Sequence, residues 1–362
     1  MFCLLDNIIF SLQRAGGASV VWQQHLERLL LEKNVKCEFI EYNGAENNIF
    51  RKNLSIPNKQ IRKYSTHCLF LKRYKNLKNR ESIPYIFHSS HYRTINHSLA
   101  INITTVHDFT YEFFVKGIRQ KIHSWQKYDA IKKSQAIICI SESTKKDLLH
   151  FLPSIDESRL HVIYNGVDHG YKILNNNQQL INLPFPDKEF LLYVGDRKNR
   201  YKNFDLVVKV CSQLKMPLIL VGGGALRKDE ISMLDEVLGV TNYYSITGVS
   251  VEILNEIYNR AFALIYPSLY EGFGIPVIEA QKAGCPVIAY ANSSIPEIMG
   301  VNDYALSQIS VDSVCEVITF LKNRPNEREK VIKEGIENSK RFSWDKTYQN
   351  TLNLYKKLYN EK

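Results

Sequence analysis

The sequence predicts an α/β protein with two parallel sheets. Short apolar runs alternate with helix-like stretches along all 362 residues, and this alternation is typical of parallel strands joined by crossover helices. An Asn-, Gln- and Pro-rich stretch without periodicity, residues 169–189, divides the alternating segments into two halves. The chain is also too long for one domain of ordinary size. We therefore expect two α/β domains.

Each half has its own series of strand-like runs. The first half contains six, at residues 3–5, 37–42, 84–90, 102–108, 136–141 and 160–166. The second contains five, at residues 190–195, 217–223, 243–248, 263–268 and 285–290. Helical stretches separate these runs, so each half is interpreted as a Rossmann-like unit.

The predicted boundaries follow from this division. The first domain covers residues 1–172, a linker covers 173–188, and the second domain covers 189–342. Residues 343–362 form an amphipathic helix, since apolar and aromatic side chains recur at helical spacing from Trp344 to Leu358.

Composition excludes several classes of protein. No stretch of about 18 apolar residues is present, which argues against a membrane span. The apolar start, residues 1–13, lacks a basic region and is interrupted by Asp6, so it is interpreted as a first strand rather than a signal peptide. Seven scattered cysteines without a C-x-x-C pair indicate reduced thiols in the cytoplasm.

The net charge of +10 is unevenly distributed. Residues 51–80 contain ten Lys or Arg and no Asp or Glu, and a second basic stretch runs over residues 116–133 with Trp125 and Tyr128 interleaved. Anionic lipid, a diphosphate-bearing acceptor and nucleic acid are the partners such a stretch favours. Phe70, Leu71 and Tyr74 lie among the first set of cations and suit a membrane interface.

The segment YEGFGIPVIEA, residues 270–280, is the most informative motif. It follows an apolar run that predicts a buried strand. Gly272 and Gly274 allow a sharp turn and close approach of a ligand, and Pro276 suits the first turn of a helix. Glu271 is therefore expected in a loop at the carboxyl end of a strand and Glu279 in the following helix. Ligands bind at this edge of open α/β sheets.

Further residues suit a bound diphosphate. Gly16 and Gly17 precede a predicted helix, whose first N–H groups favour anions. Arg197 and Lys202 follow a predicted strand and also precede a helix. Cations at that helix end oppose the helix dipole, which hints at an anion between them. The glycine turn at residues 221–227 is neither a dinucleotide-binding G-x-G-x-x-G nor a Walker A loop, so a dehydrogenase or P-loop enzyme is disfavoured.

The sequence contains one histidine placed for a ligand site and a cluster of three others. His107 stands at the end of a predicted strand, beside Asp108. His88, His91 and His97 cluster in sequence, but no acidic or Cys residues at ligand spacing accompany them, so no metal site is predicted.

The Glu-x7-Glu segment resembles the signature of the retaining, nucleotide-sugar-dependent glycosyltransferases of family 4. Asn165 to Asp168, Asn-Gly-Val-Asp, also resembles a family segment. The resemblance implies the GT-B fold, two Rossmann-like domains whose parallel sheets face each other across a cleft. Residues 1–172 would then bind the acceptor, residues 189–342 the nucleotide sugar, and the last helix would cross back to the first domain.

The resemblance also implies roles for the site residues. Glu271 and the backbone of Gly272, Phe273 and Gly274 would contact the donor sugar, and Glu279 would hold the ribose. Gly16 and Gly17 would approach the phosphates, and Arg197 and Lys202 would neutralise the diphosphate. His107 would lie beside the sugar and the acceptor.

The implied activity is transfer of a hexose-type sugar, with mannose or glucose favoured, to a glycan or polyprenyl-diphosphate-linked acceptor. The setting would be O-antigen, capsule or lipopolysaccharide synthesis. The donor base, UDP or GDP, stays open. No cofactor is expected beyond this co-substrate, and the lack of an Asp-x-Asp at a strand end predicts metal independence. The enzyme would be cytoplasmic, on the inner membrane face through residues 51–80, without a nucleic-acid partner.

Two alternatives remain. One is a nucleotide-sugar epimerase of the same fold, which would isomerise its substrate without an acceptor. The other is a non-catalytic protein that binds lipid or nucleic acid through its basic segment. Steep salt dependence without nucleotide-sugar affinity would favour the latter.

Overall fold

The computed structural model describes residues 1–64, 73–79, 81–174, 179–300 and 304–362. Contacts divide the chain into two compact units. One contains Met1–Gly166 with Trp344–Lys362, and the other contains Val167–Ser343. The segment 173–188, predicted to be a linker, is part of the second unit. There the backbone N–H of Lys188 donates to the Arg260 carbonyl at 2.7 Å, and Asp187 accepts from the Arg260 guanidinium at 2.6 Å.

The first unit is built on a seven-stranded parallel sheet. Its strands are β1 (Phe2–Asp6), β2 (Lys36–Tyr42), β3 (Ile61–Tyr64), β4 (Tyr85–Ser89), β5 (Ala100–Val106), β6 (Ala136–Cys139) and β7 (Leu160–Val162). Their order across the sheet is β3-β2-β1-β4-β5-β6-β7. Central strands such as β1 and β4 are buried along their whole length, because helices cover both faces of a parallel sheet.

Within its described residues, this unit has seven helices. They are α1 (Ile9–Leu12), α2 (Gly17–Leu29), α3 (Ile49–Lys52), α4 (Thr110–Phe114), α5 (Ile118–Lys133), α6 (Glu142–Phe151) and α14 (Trp344–Asn360). The last helix of the chain, α14, packs on α2. Arg28 and Asp345 form an ion pair at 2.7 Å, and the hydroxyl of Tyr355 lies 3.0 Å from Nε2 of His25.

The second unit is built on a six-stranded parallel sheet. Its strands are β8 (Leu191–Val194), β9 (Leu218–Val221), β10 (Tyr243–Ile246), β11 (Ala263–Tyr266), β12 (Val287–Tyr290) and β13 (Ala305–Leu306), ordered β10-β9-β8-β11-β12-β13. Its helices are α7 (Phe204–Leu214), α8 (Lys228–Val237), α9 (Val251–Arg260), α10 (Ile275–Lys282), α11 (Ile295–Met299), α12 (Val311–Asn323) and α13 (Pro325–Ser339).

The predicted α/β class is confirmed, and each of the eleven predicted strand runs contains a strand. Two strands were not predicted. β3 has the sequence IRKY, whose cations conceal the apolar pattern of a strand, and β13 has only two residues. Among the described residues, no helix combines the length and apolarity needed to cross a membrane.

Candidate active site

The Glu-x7-Glu segment lies at the carboxyl end of β11, as the sequence predicted. Residues 267–274 form the loop, and α10 begins at Ile275. Gly274 precedes the helix with φ of 101°, a left-handed conformation that favours glycine. A Cβ atom there would lie 2.9 Å from Cδ1 of Ile295. The conformation of the turn therefore favours glycine, and a side chain there would also require the end of Ile295 to shift.

The carboxylate of Glu279 is held by two tyrosines. The hydroxyl of Tyr258, from α9, donates to Oε2 of Glu279 at 3.0 Å. The hydroxyl of Tyr171 forms a second hydrogen bond with the same carboxylate. Burial raises the pKa of Glu279 to about 7, although the two tyrosine hydroxyls partly oppose this rise. The carboxylate is thus fixed in position and close to its titration midpoint at neutral pH.

The other carboxylate of the motif, Glu271, pairs with a predicted cation. Nζ of Lys202 lies 2.6 Å from Oε1 of Glu271, and both side chains are largely buried. The hydroxyl of Tyr266 also hydrogen-bonds to Glu271. Lys202 ends a short 3-10 helix, Arg200–Lys202, which follows β8. Two segments far apart in sequence therefore meet at one edge of the sheet.

Two serines hold the glycine turn in place. The backbone N–H of Glu271 donates to Oγ of Ser293 at 2.8 Å. Oγ of the buried Ser294 lies 2.9 Å from the Glu271 carbonyl and 2.8 Å from the Phe273 carbonyl. The ring of Phe273 packs edge-on against Phe342, with centroids 5.7 Å apart. Its side chain is directed into the core, so its backbone is the part that a ligand could meet.

The contacts of Arg197 differ from the anion contact that the sequence suggested. Its guanidinium donates to the carbonyls of Gly222 and Gly224 at 2.5 and 2.9 Å, and to Oε1 of Glu230 at 3.2 Å. The side chain is 1% exposed. In this structure Arg197 orders the glycine turn after β9 instead of offering its donors to an anion. Direct contact with a diphosphate stays a prediction, and it would require these bonds to be exchanged.

The glycine turn after β9 packs closely against Arg197. Gly223 has φ of 68°, and a Cβ atom there would lie 2.6 Å from Nη1 of Arg197. The sequence offered no sign of this pairing, because the arginine and the turn belong to different strand-loop units.

Gly16 and Gly17 lie at the start of α2, in the first unit. Gly16 precedes the helix and Gly17 is its first residue. A Cβ atom on Gly16 would lie 2.8 Å from Nε2 of Gln13, which donates to Oγ of Ser19 at 2.7 Å. The side chain of Gln13 therefore occupies the space beside Gly16, whereas the space beside Gly17 is open. The N–H groups of the first helical turn form the type of end that favours anions.

His107 follows β5 in the first unit. Burial lowers the pKa of its imidazole, and the charge of Lys127 lowers it further, while Asp108 partly opposes these effects. The imidazole is therefore neutral at physiological pH. Nζ of Lys127 donates to the Asp108 carbonyl and to Glu112, both at 2.8 Å, and so anchors the loop that carries His107.

A small cavity of about 40 Å³ lies within the first unit beside His107. His88 is a further lining residue and is deeply buried. Its ring nitrogens lie 2.5 Å from the hydroxyl of Tyr355 and 2.9 Å from Oγ1 of Thr105. Sequence reasoning missed this network because its members come from separate elements. The serines Ser89 and Ser90 and the side chain of Asn165 add polar groups to the lining.

The structure thus places the predicted residues in two groups. Gly16, Gly17 and His107 belong to the first unit. The second unit contains Arg197, Lys202, Glu271, Gly272, Phe273, Gly274 and Glu279. Within the described ranges, no group of three or more His, Cys, Asp or Glu side chains is arranged to hold a metal ion. Metal independence stays a prediction.

Family models match both halves of the chain. The model described as "Glycosyltransferase Family 4" matches residues 15–171, and the model described as "Glycosyl transferases group 1" matches residues 176–338.

Individual proteins are similar over most of the chain. O-antigen chain mannosyltransferase B of Escherichia coli is 25% identical over 293 residues, which cover 77% of this chain and 76% of that protein. The structure of sucrose-phosphate synthase from Thermosynechococcus elongatus has a TM-score of 0.74 at 17% identity and covers 100% of this chain and 99% of that one. HepE of Anabaena, in complex with UDP and glucose, has a TM-score of 0.72 at 14% identity and covers 98% and 99%.

Proposed function

Because this chain belongs to glycosyltransferase family 4 and has the GT-B fold, we propose that it transfers a hexose-type sugar from a nucleotide-diphosphate sugar. The acceptor is a hydroxyl group of a glycan or a lipid-linked glycan, and the anomeric configuration is retained. Membership of the family makes the chain a glycosyltransferase. The donor, the stereochemistry and the acceptor are the proposed parts.

One arrangement supports the proposal most strongly. Glu279 is oriented by Tyr258 and Tyr171 and follows a glycine turn at the carboxyl edge of the sheet. A fixed carboxylate can accept hydrogen bonds from two neighbouring ribose hydroxyls. The turn offers the partly exposed backbone of Gly272 to a sugar, and a cation, Lys202, lies at the same edge. These are the groups that a nucleotide-diphosphate sugar requires.

The chemistry separates a sugar cation from a diphosphate. The bond between the anomeric carbon and the diphosphate oxygen breaks, and the acceptor oxygen bonds to the same face of that carbon. Lys202 stabilises the charge on the leaving diphosphate. The departing phosphate oxygen takes the proton of the acceptor hydroxyl, so no separate base is needed. In the first unit, the N–H groups at the start of α2 are suited to an anion, and the neutral His107 is suited to hydrogen bonding with the acceptor. No step requires a metal ion.

Without a bound donor, Arg197 shapes the turn after β9, since its guanidinium is bonded to that turn. Contact of Arg197 with the diphosphate would follow exchange of these bonds, whereas contact by Lys202 would follow exchange of its ion pair with Glu271.

The similarity to an O-antigen chain mannosyltransferase supports synthesis of a cell-surface polysaccharide and favours mannose. The similarity to a protein crystallised with UDP and glucose keeps UDP and glucose as the other choice. The enzyme would work at the cytoplasmic face of the membrane, where lipid-linked acceptors are available.

Thermal unfolding with a panel of UDP-, GDP-, ADP- and dTDP-sugars tests the proposal. A donor at a hundred times its Kd should stabilise the protein by about 2.7 kcal/mol. The shift should disappear in Glu279→Ala and persist in Glu316→Ala, which removes an exposed carboxylate of α12. No shift with any nucleotide sugar would contradict the proposal. For the donor that binds, the anomeric configuration of the transfer product, read by NMR, tests retention.

A further inference from the structure

Helix α5 presents an apolar ridge to solvent. Ile118, Ile122 and Trp125 are 73%, 40% and 60% exposed. They stand at positions i, i+4 and i+7, which bring them to one side of the helix. Neighbouring apolar side chains in α4, Phe113 and Phe114, are 45% and 42% exposed. Isolated exposed apolar residues are ordinary, but a contiguous set on one surface indicates an interaction site.

The inner side of the same helix is unusually polar. Ser124, Gln126 and Lys127 are buried there, and Lys127 forms an ion pair with Glu112 at 2.8 Å. Gln126 donates to the Tyr92 carbonyl at 2.9 Å. The apolar contacts of the helix with the unit are concentrated near its end, where Ala130 and Ile131 are buried. In its first two turns Ile118, Ile122 and Trp125 face outward, although burial of such groups is the main favourable term in folding.

Cations surround the ridge. Residues 113–128 contain four Lys or Arg and no Asp or Glu. Three of these cations, Lys116, Arg119 and Lys121, are exposed. The fourth, Lys127, is buried and neutralised by Glu112. The exposed surface of this segment is therefore both apolar and positively charged.

We propose that the outer face of α5, defined by Ile118, Ile122 and Trp125 with Arg119 and Lys121, binds the surface of an anionic lipid bilayer. Aliphatic and indole groups enter the interface between headgroups and acyl chains, and cations along their flanks meet anionic headgroups. Tryptophan is enriched at that depth of a membrane.

Other occupants fit this face less well. A second copy of the chain, related by two-fold symmetry, would bring this face against itself and set cations against cations. Single-stranded nucleic acid would use aromatic platforms for stacking, whereas two of the three residues of the ridge are isoleucines. A lipid surface can contact both the apolar ridge and the exposed cations beside it.

The α5 face lies in the second basic stretch noted in the sequence, residues 116–133, and differs from the membrane contact that the sequence suggested over residues 51–80. In that segment Arg51 pairs with Glu41, and Arg62 pairs with Glu38 and Glu81. Phe70, Leu71, Lys72 and Arg80 lie outside the described residues. Part of that predicted surface charge is thus neutralised within the fold. On α5, by contrast, the apolar and basic groups are both exposed.

The face is also connected to the candidate active site. Lys127, on the inner side of α5, anchors the loop that carries His107 through the Asp108 carbonyl. A helix lying on the bilayer would hold that loop near the membrane, where a lipid-linked acceptor is found. The lipid contact itself does not depend on the proposed transferase activity.

Tryptophan fluorescence offers a direct test. Of the three tryptophans in the chain, Trp22 and Trp344 are 5% and 4% exposed, so Trp125 is the one that a bilayer can reach from outside. The full-length protein is mixed with vesicles of phosphatidylcholine alone or with 30% phosphatidylglycerol. We expect a blue shift and quenching by brominated lipid with the anionic vesicles only. Co-sedimentation with the same vesicles gives the partition coefficient.

Variants separate the two components of binding. Arg119→Gln with Lys121→Gln should lower the partition coefficient roughly twenty-five-fold at low salt, since each cation near an anionic surface contributes about five-fold. Ile118→Ser with Ile122→Ser should lower it about ten-fold or more through lost apolar contact. The control for the charge variant is Lys209→Gln with Lys322→Gln, which removes two exposed cations elsewhere. The control for the isoleucine variant is Leu31→Ser with Val240→Ser, which replaces two exposed aliphatic residues elsewhere. Circular dichroism confirms that each variant folds.

Absence of vesicle binding, or equal binding of the α5 variants and their controls, would overturn the proposal. Binding to anionic vesicles without any change in Trp125 fluorescence would also overturn it, because the contact would then lie elsewhere. A concentration-dependent dimer in sedimentation velocity that the isoleucine variant abolishes, without vesicle binding, would identify a second copy as the occupant. None of these measurements uses a nucleotide sugar, so their failure is distinct from failure of the proposed function.

Discussion

The ammonium group of Lys202 and the carboxylate of Glu271 form an ion pair at 2.6 Å between the loop after β8 and the loop after β11. The two residues are 69 positions apart in the chain. Each was assigned to the donor site by its own local motif. The pair shows that both motifs converge at one edge of the second sheet.

Replacement of Lys202 tests its role at the leaving group. In Lys202→Met we expect kcat to fall by about 10² to 10³, which is the usual cost of one lost donor to a developing anion. The exposed Lys198, four residues earlier, supplies the control Lys198→Met, for which kcat should change less than three-fold. Steady-state kinetics with saturating donor measure both.

A double variant at Lys202 and Glu271 distinguishes a catalytic role of Lys202 from simple loss of the ion pair. If Lys202→Met acted only by leaving Glu271 unpaired, the double variant with Glu271→Gln would have the same kcat as Glu271→Gln alone. We expect the double variant to have a lower kcat than Glu271→Gln alone. A double variant with normal activity would contradict a role for Lys202 at the diphosphate.

Arg197 should behave as a structural residue. Arg197→Met leaves the buried Glu230 with only the more distant cation Arg227, at 3.7 Å, and two carbonyls without donors. We expect a loss of about 3 kcal/mol in unfolding free energy. Chemical denaturation measures this loss. Arg197→Met with Glu230→Gln should recover part of it, because no buried charge then remains unpaired. A variant with unchanged stability but abolished transfer would instead indicate direct contact with the donor.

Donor affinity should depend on pH through Glu279. Its pKa is raised to about 7, mainly by burial, so the carboxylate is protonated below that pH and becomes a poorer acceptor for ribose hydroxyls. We expect the Kd for the nucleotide to rise as pH falls from 8 to 6. In Glu279→Gln the Kd should be weak and independent of pH over this range, whereas Glu316→Gln should behave as the wild type. Isothermal titration at pH 6, 7 and 8 measures this.

Glu279 also makes the stability of the free protein depend on pH, in the direction opposite to its effect on donor binding. The folded pKa of Glu279 lies above its ordinary value of 4.5, so the folded state holds the proton more tightly. The ionised carboxylate therefore destabilises the free protein above pH 7, and this penalty is absent below about pH 4.5. Glu279→Gln should raise the melting temperature at pH 8 more than at pH 5. An equal effect at both pH values would contradict the raised pKa.

Gly274 should tolerate no side chain. In Gly274→Ala the left-handed backbone costs about 1 kcal/mol and the contact with Ile295 adds a similar or larger amount. Gly239 has φ of 85°, and its nearest neighbour, the Asn242 side chain, lies at an ordinary 3.5 Å, so Gly239→Ala measures backbone strain alone. Thermal unfolding should show the larger loss for Gly274→Ala. Equal losses would show that Ile295 adapts and that packing does not require glycine.

Much of the fold could be predicted from the sequence. Buried parallel strands are short apolar runs, and eleven of these were visible. The strand Ile61–Tyr64 was concealed because its cations at Arg62 and Lys63 remove the apolar signal. Arg62 is accepted there because it pairs with Glu38 on the neighbouring strand β2 and with Glu81. Such pairing depends on strand order, which periodicity along one segment does not contain.

The sequence by itself determined the local form of the site, with Glu271 in a loop and Glu279 in the helix that follows. Glycine and proline act on the dihedral angles of a few residues, so their effect can be recognised without any partner. Only the tertiary structure decided that Tyr258 and Tyr171 hold Glu279, that Lys202 meets Glu271, and that the Arg197 guanidinium is bonded to a glycine turn. These contacts join groups brought together by packing of separate strand-loop units. Burial of those groups then sets the charge of the carboxylate and the availability of the donors.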